Sequence, residues 1–170
     1  MLKRFMERKQ DEDGFTLIEL MVVVLIIGIL IAIALPTFLG ARTRAQNRAA
    51  QSDLRNTLVA AKTIYTDNSS YQCATAANGT VAPCVGIGLP AVEPSLQYIA
   101  GAAGAVTTNV GVVVPAVAGF TQWTAGRWSA SNICFYISDS ATAGTKYGQA
   151  AAAGACVAST MALANNASWS

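Results

Sequence analysis

The chain has 170 residues, of which 53% are hydrophobic and only 12% charged, and its formal net charge is +2. The charged fraction is about half of the ~25% typical of soluble domains, which excludes an intrinsically disordered protein. Histidine is absent, so Ser-His-Asp triads, Cys-His dyads and histidine-ligated metals are excluded. The length suits one domain with an accessory segment, and the small net charge predicts no strong field for nucleic acid.

The apolar excess is concentrated in residues 15–35, FTLIELMVVVLIIGILIAIAL, which carry one charge, Glu19. A bilayer core of ~30 Å requires ~20 apolar residues, so this segment is long enough to span a membrane. A cleaved secretory signal would have a shorter apolar run of ~7–15 residues and a small-residue cleavage site. A plain membrane anchor would explain the length but neither Glu19 nor Gly14, which directly precedes the run. An ionisable residue inside a span is a functional hypothesis by default.

The segment DGFTLIELMVVVLIIGILIAIALPTF, residues 13–38, resembles the type IV prepilin family, whose members carry a class III signal peptide. The resemblance implies that a prepilin peptidase cuts between Gly14 and Phe15 and methylates Phe15 as the new N-terminus. It also implies that Glu19 pairs with the Phe15 amine of a neighbouring subunit. The acids at positions 11–13 look like the leaders of some Gram-positive pilins. Leu20 disfavours the small Flp-type pilins, which carry tyrosine at that position.

Two residues within the apolar segment are predicted to weaken its helix. Pro36 removes one backbone hydrogen bond and favours a bend, and Gly28 costs ~1 kcal/mol relative to alanine. The resemblance implies that this stretch can lose helical order when a subunit leaves the membrane for the filament. Gly28 and Pro36 are therefore assigned to assembly, together with Phe15 and Glu19.

The helix is predicted to continue through residues 42–66, beyond the apolar segment. Leu54, Leu58, Ala61 and Tyr65 follow a helical repeat and form one apolar stripe, which needs a partner surface. The basic residues lie at polar positions, where lipid headgroup contact, inter-subunit contact and a solvated face all remain open; they are Arg42, Arg44, Arg48, Arg55 and Lys62.

The remainder of the chain is predicted to form a small sheet domain, here called the head. β-branched runs at 106–117, 120–126, 132–139 and 145–150 are separated by short glycine-bearing segments, which predicts an antiparallel meander. The Ala/Gly-rich stretches 100–105 and 150–155 are predicted loops. The composition gives an α+β class, and the resemblance implies a long N-terminal helix, membrane-spanning in its front half, packed against the sheet. The predicted regions are a leader (1–14), a transmembrane or filament-core helix (15–41), its amphipathic rear half (42–66), a connecting loop (67–99) and the head with a C-terminal disulfide region (100–170).

All four cysteines follow the apolar segment: Cys73, Cys84, Cys134 and Cys156. There is no C-x-x-C motif and no histidine to complete a zinc site. Four cysteines allow three disulfide connectivities. We favour Cys73–Cys84 and Cys134–Cys156, the second being similar to the C-terminal disulfide loop of many pilins. Basic residues flank the span equally, four on each side, and give no orientation. Disulfides require an oxidising compartment, which places the head outside the cytoplasm.

Motifs for catalysis or cofactor binding are missing from the sequence. There is no P-loop and no G-x-G-x-x-G, and Asp67, Glu93 and Asp139 are scattered, so we predict no enzyme, no cofactor and no metal site. From Asp67 onward the two basic residues are outnumbered by these three acids, which makes nucleic acid an improbable partner. The three tryptophans are predicted to pack in the head or at an interface; they are Trp123, Trp128 and Trp169.

Taken with the resemblance, the sequence predicts a structural subunit of a type IV pilus-like filament. The implied partners are further copies in a helical homo-oligomer, a prepilin peptidase, an inner-membrane assembly platform and a cytoplasmic assembly ATPase. The implied location is a single-pass cytoplasmic membrane state and then an extracellular pilus. The alternatives are a pseudopilin of a type II secretion or DNA-uptake (competence) machine and a minor pilin with a ligand-binding head. Roles in cell adhesion and twitching motility stay open.

Overall fold

The computed structural model describes residues 14–77, 79, 83–101, 109–114, 118–151, 156 and 169. Residues 1–13 of the predicted leader and most of both predicted Ala/Gly-rich loops lie outside this set. The chain divides into two compact units, Met1–Ala41 and Arg42–Ser170. The fold class is confirmed as α+β, with a long N-terminal helix and a mostly antiparallel sheet.

One long helix, α1 (Leu17–Asn68), contributes to both units and includes Pro36 within its helical span. In the first unit its large apolar side chains are exposed, from 48% for Val22 to 75% for Leu17. A helix satisfies its own backbone hydrogen bonds, so a surface of this kind is suited to lipid or to other apolar helices. By length and composition, α1 could cross a membrane.

The helix ends close to the predicted position at residue 66. Asn68 is its last residue, and its side-chain amide donates a hydrogen bond to the Ile64 carbonyl at 3.0 Å. Ser69 follows with φ of 52°, in the left-handed region that commonly terminates helices. The polar segment after Tyr65 therefore acts as a helix stop.

The second unit contains a short helix, α2 (Leu89–Val92), and five strands. The strands lie in the order β1-β2-β3-β4-β5, with β2 to β5 antiparallel and β1 parallel to β2. Their bounds are β1 (Gln97–Ala100), β2 (Asn109–Val113), β3 (Gln122–Trp128), β4 (Ile133–Ser140) and β5 (Gly144–Ala151).

The structure corrects two parts of the predicted layout. The segment 67–99 is not wholly a loop, because it contains α2 and most of β1, and Ala100 and Ala150 lie in strands. The sheet is also not a complete antiparallel meander, because β1 joins it in parallel. β1 has only four residues and no alternating burial, so its sequence lacks the period-2 pattern that identifies a strand. The four β-branched runs coincide with β2 to β5.

The core of the second unit lies between α1 and one face of the sheet. The predicted stripe is buried at Leu54, Leu58 and Ala61, and Tyr65 packs partly buried beside it. Alternate residues of β2, β3 and β4 point toward the helix, as the pleat requires. The largest fully buried side chains in this layer are Trp123, Tyr71, Phe135, Leu54, Ile64, Leu89 and Ile137.

Candidate assembly site

The start of α1 is organised by a reciprocal set of hydrogen bonds between Thr16 and Glu19. The Thr16 backbone N–H and hydroxyl both donate to Glu19 Oε2, at 2.9 and 2.6 Å. The Glu19 backbone N–H donates to the Thr16 hydroxyl at 3.3 Å. This is a capping box, which satisfies backbone donors that a helix start leaves unpaired. Thr16 was missed in the sequence analysis, although the T-x-x-E spacing is the signal that identifies it.

Gly14 and Phe15 lie before the helix and are exposed, Phe15 to 85%. The peptide bond predicted to be cut is therefore outside regular secondary structure. Both Thr16 bonds converge on Oε2 of Glu19, and among the residues that the structure describes none is bonded to its Oε1. The capping box thus leaves one carboxylate oxygen open to a further donor.

Gly28 and Pro36 both lie on the exposed apolar surface of the first unit. A side chain added at Gly28 would meet nothing within 4 Å, so close packing inside this chain does not explain its glycine. Pro36 leaves the carbonyl four residues earlier, that of Ala32, without its usual donor. A neighbouring carbonyl, that of Ala34, accepts a hydrogen bond from the Thr37 hydroxyl at 2.9 Å. A shallow apolar groove borders this point, lined by Ile31, Ala34, Leu35 and Phe38.

An ion pair and a hydroxyl cluster fasten the rear half of α1 to β3 and the turn after it. The Asp53 carboxylate pairs with the Arg127 guanidinium, with side-chain exposures of 23% and 14%. Burial lowers the pKa of Arg127. One turn and a half earlier, Asn47 Oδ1 accepts hydrogen bonds from the Ser129 hydroxyl, at 2.7 Å, and from the Ser131 hydroxyl.

A second polar contact joins α1 to β4 and β5 around Asp139, which is only 6% exposed. Its carboxylate accepts hydrogen bonds from the Tyr71 and Thr145 hydroxyls and lies 3.2 Å from the Lys62 ammonium. Lys62 also donates to Thr145 at 3.0 Å. Burial first, and then the neighbouring carboxylate, raise the pKa of the Tyr71 phenol. Asp139 therefore serves to hold the head together.

Two disulfides link Cys73 to Cys84 and Cys134 to Cys156, with Cα–Cα distances of 5.2 and 5.6 Å. These are the pairs favoured from the sequence. The second bond lies against β3 at Gly126, where an added Cβ would be 3.3 Å from Cys156 Sγ. A side chain there would require Cys156 to move by a few tenths of an ångström.

All three tryptophans pack within the second unit. Trp123 is fully buried and its indole N–H donates to the Ala74 carbonyl at 3.1 Å, while Trp128 packs in a smaller cluster around Cys134 and Cys156. The ring of Trp169 lies edge-on to Phe135 and Tyr147, and the Arg55 guanidinium stacks over it at 5.1 Å. Across the part of the chain that the structure describes, no group of three or more Cys, Asp or Glu side chains could hold a metal ion.

Comparison with known proteins finds one matching family and several similar proteins. Residues 9–35 match a family described as the prokaryotic N-terminal methylation motif. The type IV major pilin protein PilA of Myxococcus xanthus is 45% identical over 58 residues, 34% of this chain and 26% of that protein. The type II secretion system core protein G of Klebsiella michiganensis is 35% identical over 91 residues, 54% of this chain and 61% of that protein.

A third relative is the type IV wide pilus major component PilA4 of Thermus thermophilus, 31% identical over 89 residues, 52% of this chain and 63% of that protein. The chain thus spans less than two thirds of the length of each of these relatives. No solved structure matches the chain. The two longer matches, of 91 and 89 residues, each cover about half of this chain.

Proposed function

We propose that this protein is a structural subunit of a type IV pilus-like filament, because its N-terminal segment matches the prokaryotic N-terminal methylation motif and resembles that of type IV prepilins. The observation that carries the proposal is the continuous exposed apolar surface of α1 in the first unit, most of which lies within the matched methylation motif, residues 9–35. Such a surface requires lipid before assembly and neighbouring helices after it. One element thereby serves both for membrane storage and as the filament core.

The proposed assembly contact joins Glu19 of one subunit to the Phe15 amine of the next. Cleavage after Gly14 would create that amine, which is cationic near neutral pH. In an apolar core the two charges stabilise each other, and removing one partner from a buried pair costs ~3–5 kcal/mol. Thr16 occupies Oε2 of Glu19, so Oε1 is the atom available to the incoming amine. The pairing would fix the axial register between subunits.

The proposed role of the head is structural. Asp139 of β4 is held by Lys62 and Tyr71, and Arg127 of β3 is held by Asp53 of α1, so charged groups of the head serve to fasten it to the helix. The relatives described above are named as pilus and secretion-system components, which supports a non-enzymatic role. The proposed partners are further copies of the chain, a prepilin peptidase, a membrane assembly platform and a cytoplasmic ATPase. The proposed locations are the cytoplasmic membrane, with the head outside, and then an extracellular filament.

A second candidate function is a pseudopilin of a type II secretion machine. It is favoured by the match to the Klebsiella core protein G, which covers more of this chain than the match to the Myxococcus pilin. The two functions share the same N-terminal chemistry and differ in where the assembled chain is found. A pilus subunit forms long surface filaments, whereas a pseudopilin stays in short assemblies at the membrane.

The proposal is tested by intact mass and N-terminal peptide analysis of filaments sheared from the cell surface. We expect a chain that begins at methylated Phe15 and is four hydrogens lighter than its reduced form, because it holds two disulfides. A cut chain found only in membranes would favour the pseudopilin. An uncut chain that starts at Met1 and is absent from the sheared fraction would refute both functions.

A further inference from the structure

Three arginines lie at the start of the second unit, directly after the apolar segment. Arg42, Arg44 and Arg48, here called the arginine collar, are exposed. The structure shows no ion pair for any of them among its described residues. The collar differs in this respect from the two basic residues that follow on α1. Arg55 stacks on Trp169, and Lys62 pairs with Asp139.

The collar lies on two sides of the helix rather than on one face. At 100° per residue, Arg42 and Arg44 are separated by about 160° around the axis, and Arg48 lies about 40° from Arg44. Asn47 joins α1 to the turn after β3, and Ala50 is the first residue of α1 that is buried. Arg42 and Arg44 therefore precede the buried part of α1, and the collar presents cations on two sides of the helix.

The position and direction of these side chains fit a membrane surface. Helical side chains lean toward the helix N-terminus, which along α1 is the direction of the apolar segment. The long arginine stem can lie along apolar surface while its charged end stays at the headgroup layer. The nearest acid following on α1, Asp53, is engaged by Arg127. No neighbouring carboxylate therefore neutralises the collar from within α1.

The location of the arginines also differs from the usual distribution of basic residues in membrane proteins. Lys and Arg are normally depleted from the exported side of a span, yet in the proposed orientation this chain carries the collar there. Arginine suits phosphate because its planar guanidinium can donate two parallel hydrogen bonds. We propose that the arginine collar binds the phosphates of anionic phospholipids in the outer leaflet of the membrane that holds the unassembled subunit. This inference rests on the membrane-held state in the proposed function, and it assigns that state a lipid contact.

The collar would set the depth of the unassembled subunit in the membrane and would increase its affinity for an anionic membrane. Each basic residue near such a surface contributes about a fivefold increase in affinity, so three contribute roughly 100-fold. Extraction into a filament must break these contacts. The lipid composition would then influence how readily subunits leave the membrane.

The test uses the full processed chain in detergent, with bound lipid counted by native mass spectrometry. The probes are dioctanoyl phosphatidylglycerol and, as the matched neutral lipid, dioctanoyl phosphatidylcholine. We expect a clear preference for phosphatidylglycerol and an affinity for it that is weaker by about fivefold or more in R42Q/R44Q/R48Q, fivefold being the contribution of one basic residue. The triple lysine variant should retain part of the preference, because it keeps the charges and loses the paired hydrogen bonds.

The matched control is R55Q, which removes an arginine of the same helix that is already stacked on Trp169. It should change the affinity by less than twofold. Equal binding of both lipids, or an unchanged affinity in the triple glutamine variant, would overturn the inference. Displacement of the lipid by millimolar inorganic phosphate would show a free-anion site instead, and tighter binding of a duplex DNA 20-mer would show a nucleic-acid surface.

Membrane flotation of the same variants separates this inference from the proposed function. If the full chain floats with membranes but shows no lipid preference, only the collar assignment fails. If the chain does not float, the membrane-held state itself is wrong, and with it both proposals.

Discussion

The ion pair between Asp53 and Arg127 offers the sharpest test of how the head is attached to α1. The two side chains are 23% and 14% exposed, so the pair is mostly but not fully desolvated. Arg127 Nε is buried, and the structure shows no hydrogen-bond partner for it among the described residues. If Asp53 becomes Asn, Arg127 is left as a buried cation without its counter-charge.

Breaking a fully buried pair costs ~3–5 kcal/mol, whereas an exposed pair contributes ~0–1 kcal/mol. The intermediate burial of this pair places the expected loss for Asp53→Asn at about 2–3 kcal/mol. The double variant Asp53→Leu/Arg127→Met should recover most of that loss, because apolar residues of similar volume need no counter-charge. The matched control is Lys62→Met. The Lys62 side chain is half exposed, and Asp139 would keep its hydrogen bonds from the Tyr71 and Thr145 hydroxyls, so the change should cost less than Asp53→Asn.

The assay is urea unfolding of the full chain in mild detergent, followed by the fluorescence of the buried Trp123 and Trp128. The free energy of unfolding is taken from the linear dependence on urea concentration, and the pair coupling from the double-mutant cycle. An Asp53→Asn loss no larger than that of Lys62→Met would refute the reasoning. A double variant as unstable as the sum of its two single variants would refute it as well.

Three further outcomes are expected. Glu19→Gln keeps the side-chain shape but removes the charge, so the chain should be cut and held in membranes while the filament yield falls sharply. Thr16→Val loses ~1 kcal/mol of helix capping but keeps the Glu19 charge, so this variant should assemble. Equal filament yields from the two variants would contradict the roles assigned to Thr16 and Glu19. Because burial raises the folded-state pKa of Tyr71, its phenol ionises first in the unfolded chain, near pH ~10. The free energy of unfolding should therefore fall as the pH rises above that value. In Tyr71→Phe, urea titrations should show a smaller fall of the unfolding free energy with pH. Replacing Cys134 and Cys156 by Ala should lower the free energy of unfolding by about 2–4 kcal/mol, and an unchanged urea midpoint would show that this disulfide does not hold the head.

The features that could be read from the sequence are those whose physical cause is local. The apolar run makes α1 a helix suited to a membrane, and the polar segment after Tyr65 ends that helix near the predicted residue. The T-x-x-E pattern at Thr16 and Glu19 defines the capping box through neighbours three residues apart. Each of these depends on side chains within one or two helical turns, so composition and spacing are sufficient to specify them.

The tertiary structure decided which distant residues meet. Asn47 accepts from Ser129, 82 residues away, and no periodicity in either segment indicates that contact. The parallel direction of β1 and the partner of Asp53 depend on how the sheet is placed on α1, and several registers are compatible with the same apolar stripe. Among three possible disulfide connectivities, the actual pairing likewise follows from which cysteines the fold brings within bonding distance. The local sequence pattern determines the helices and strands, because it acts through neighbouring residues. The contacts between residues distant in the sequence are selected only when the whole core packs together.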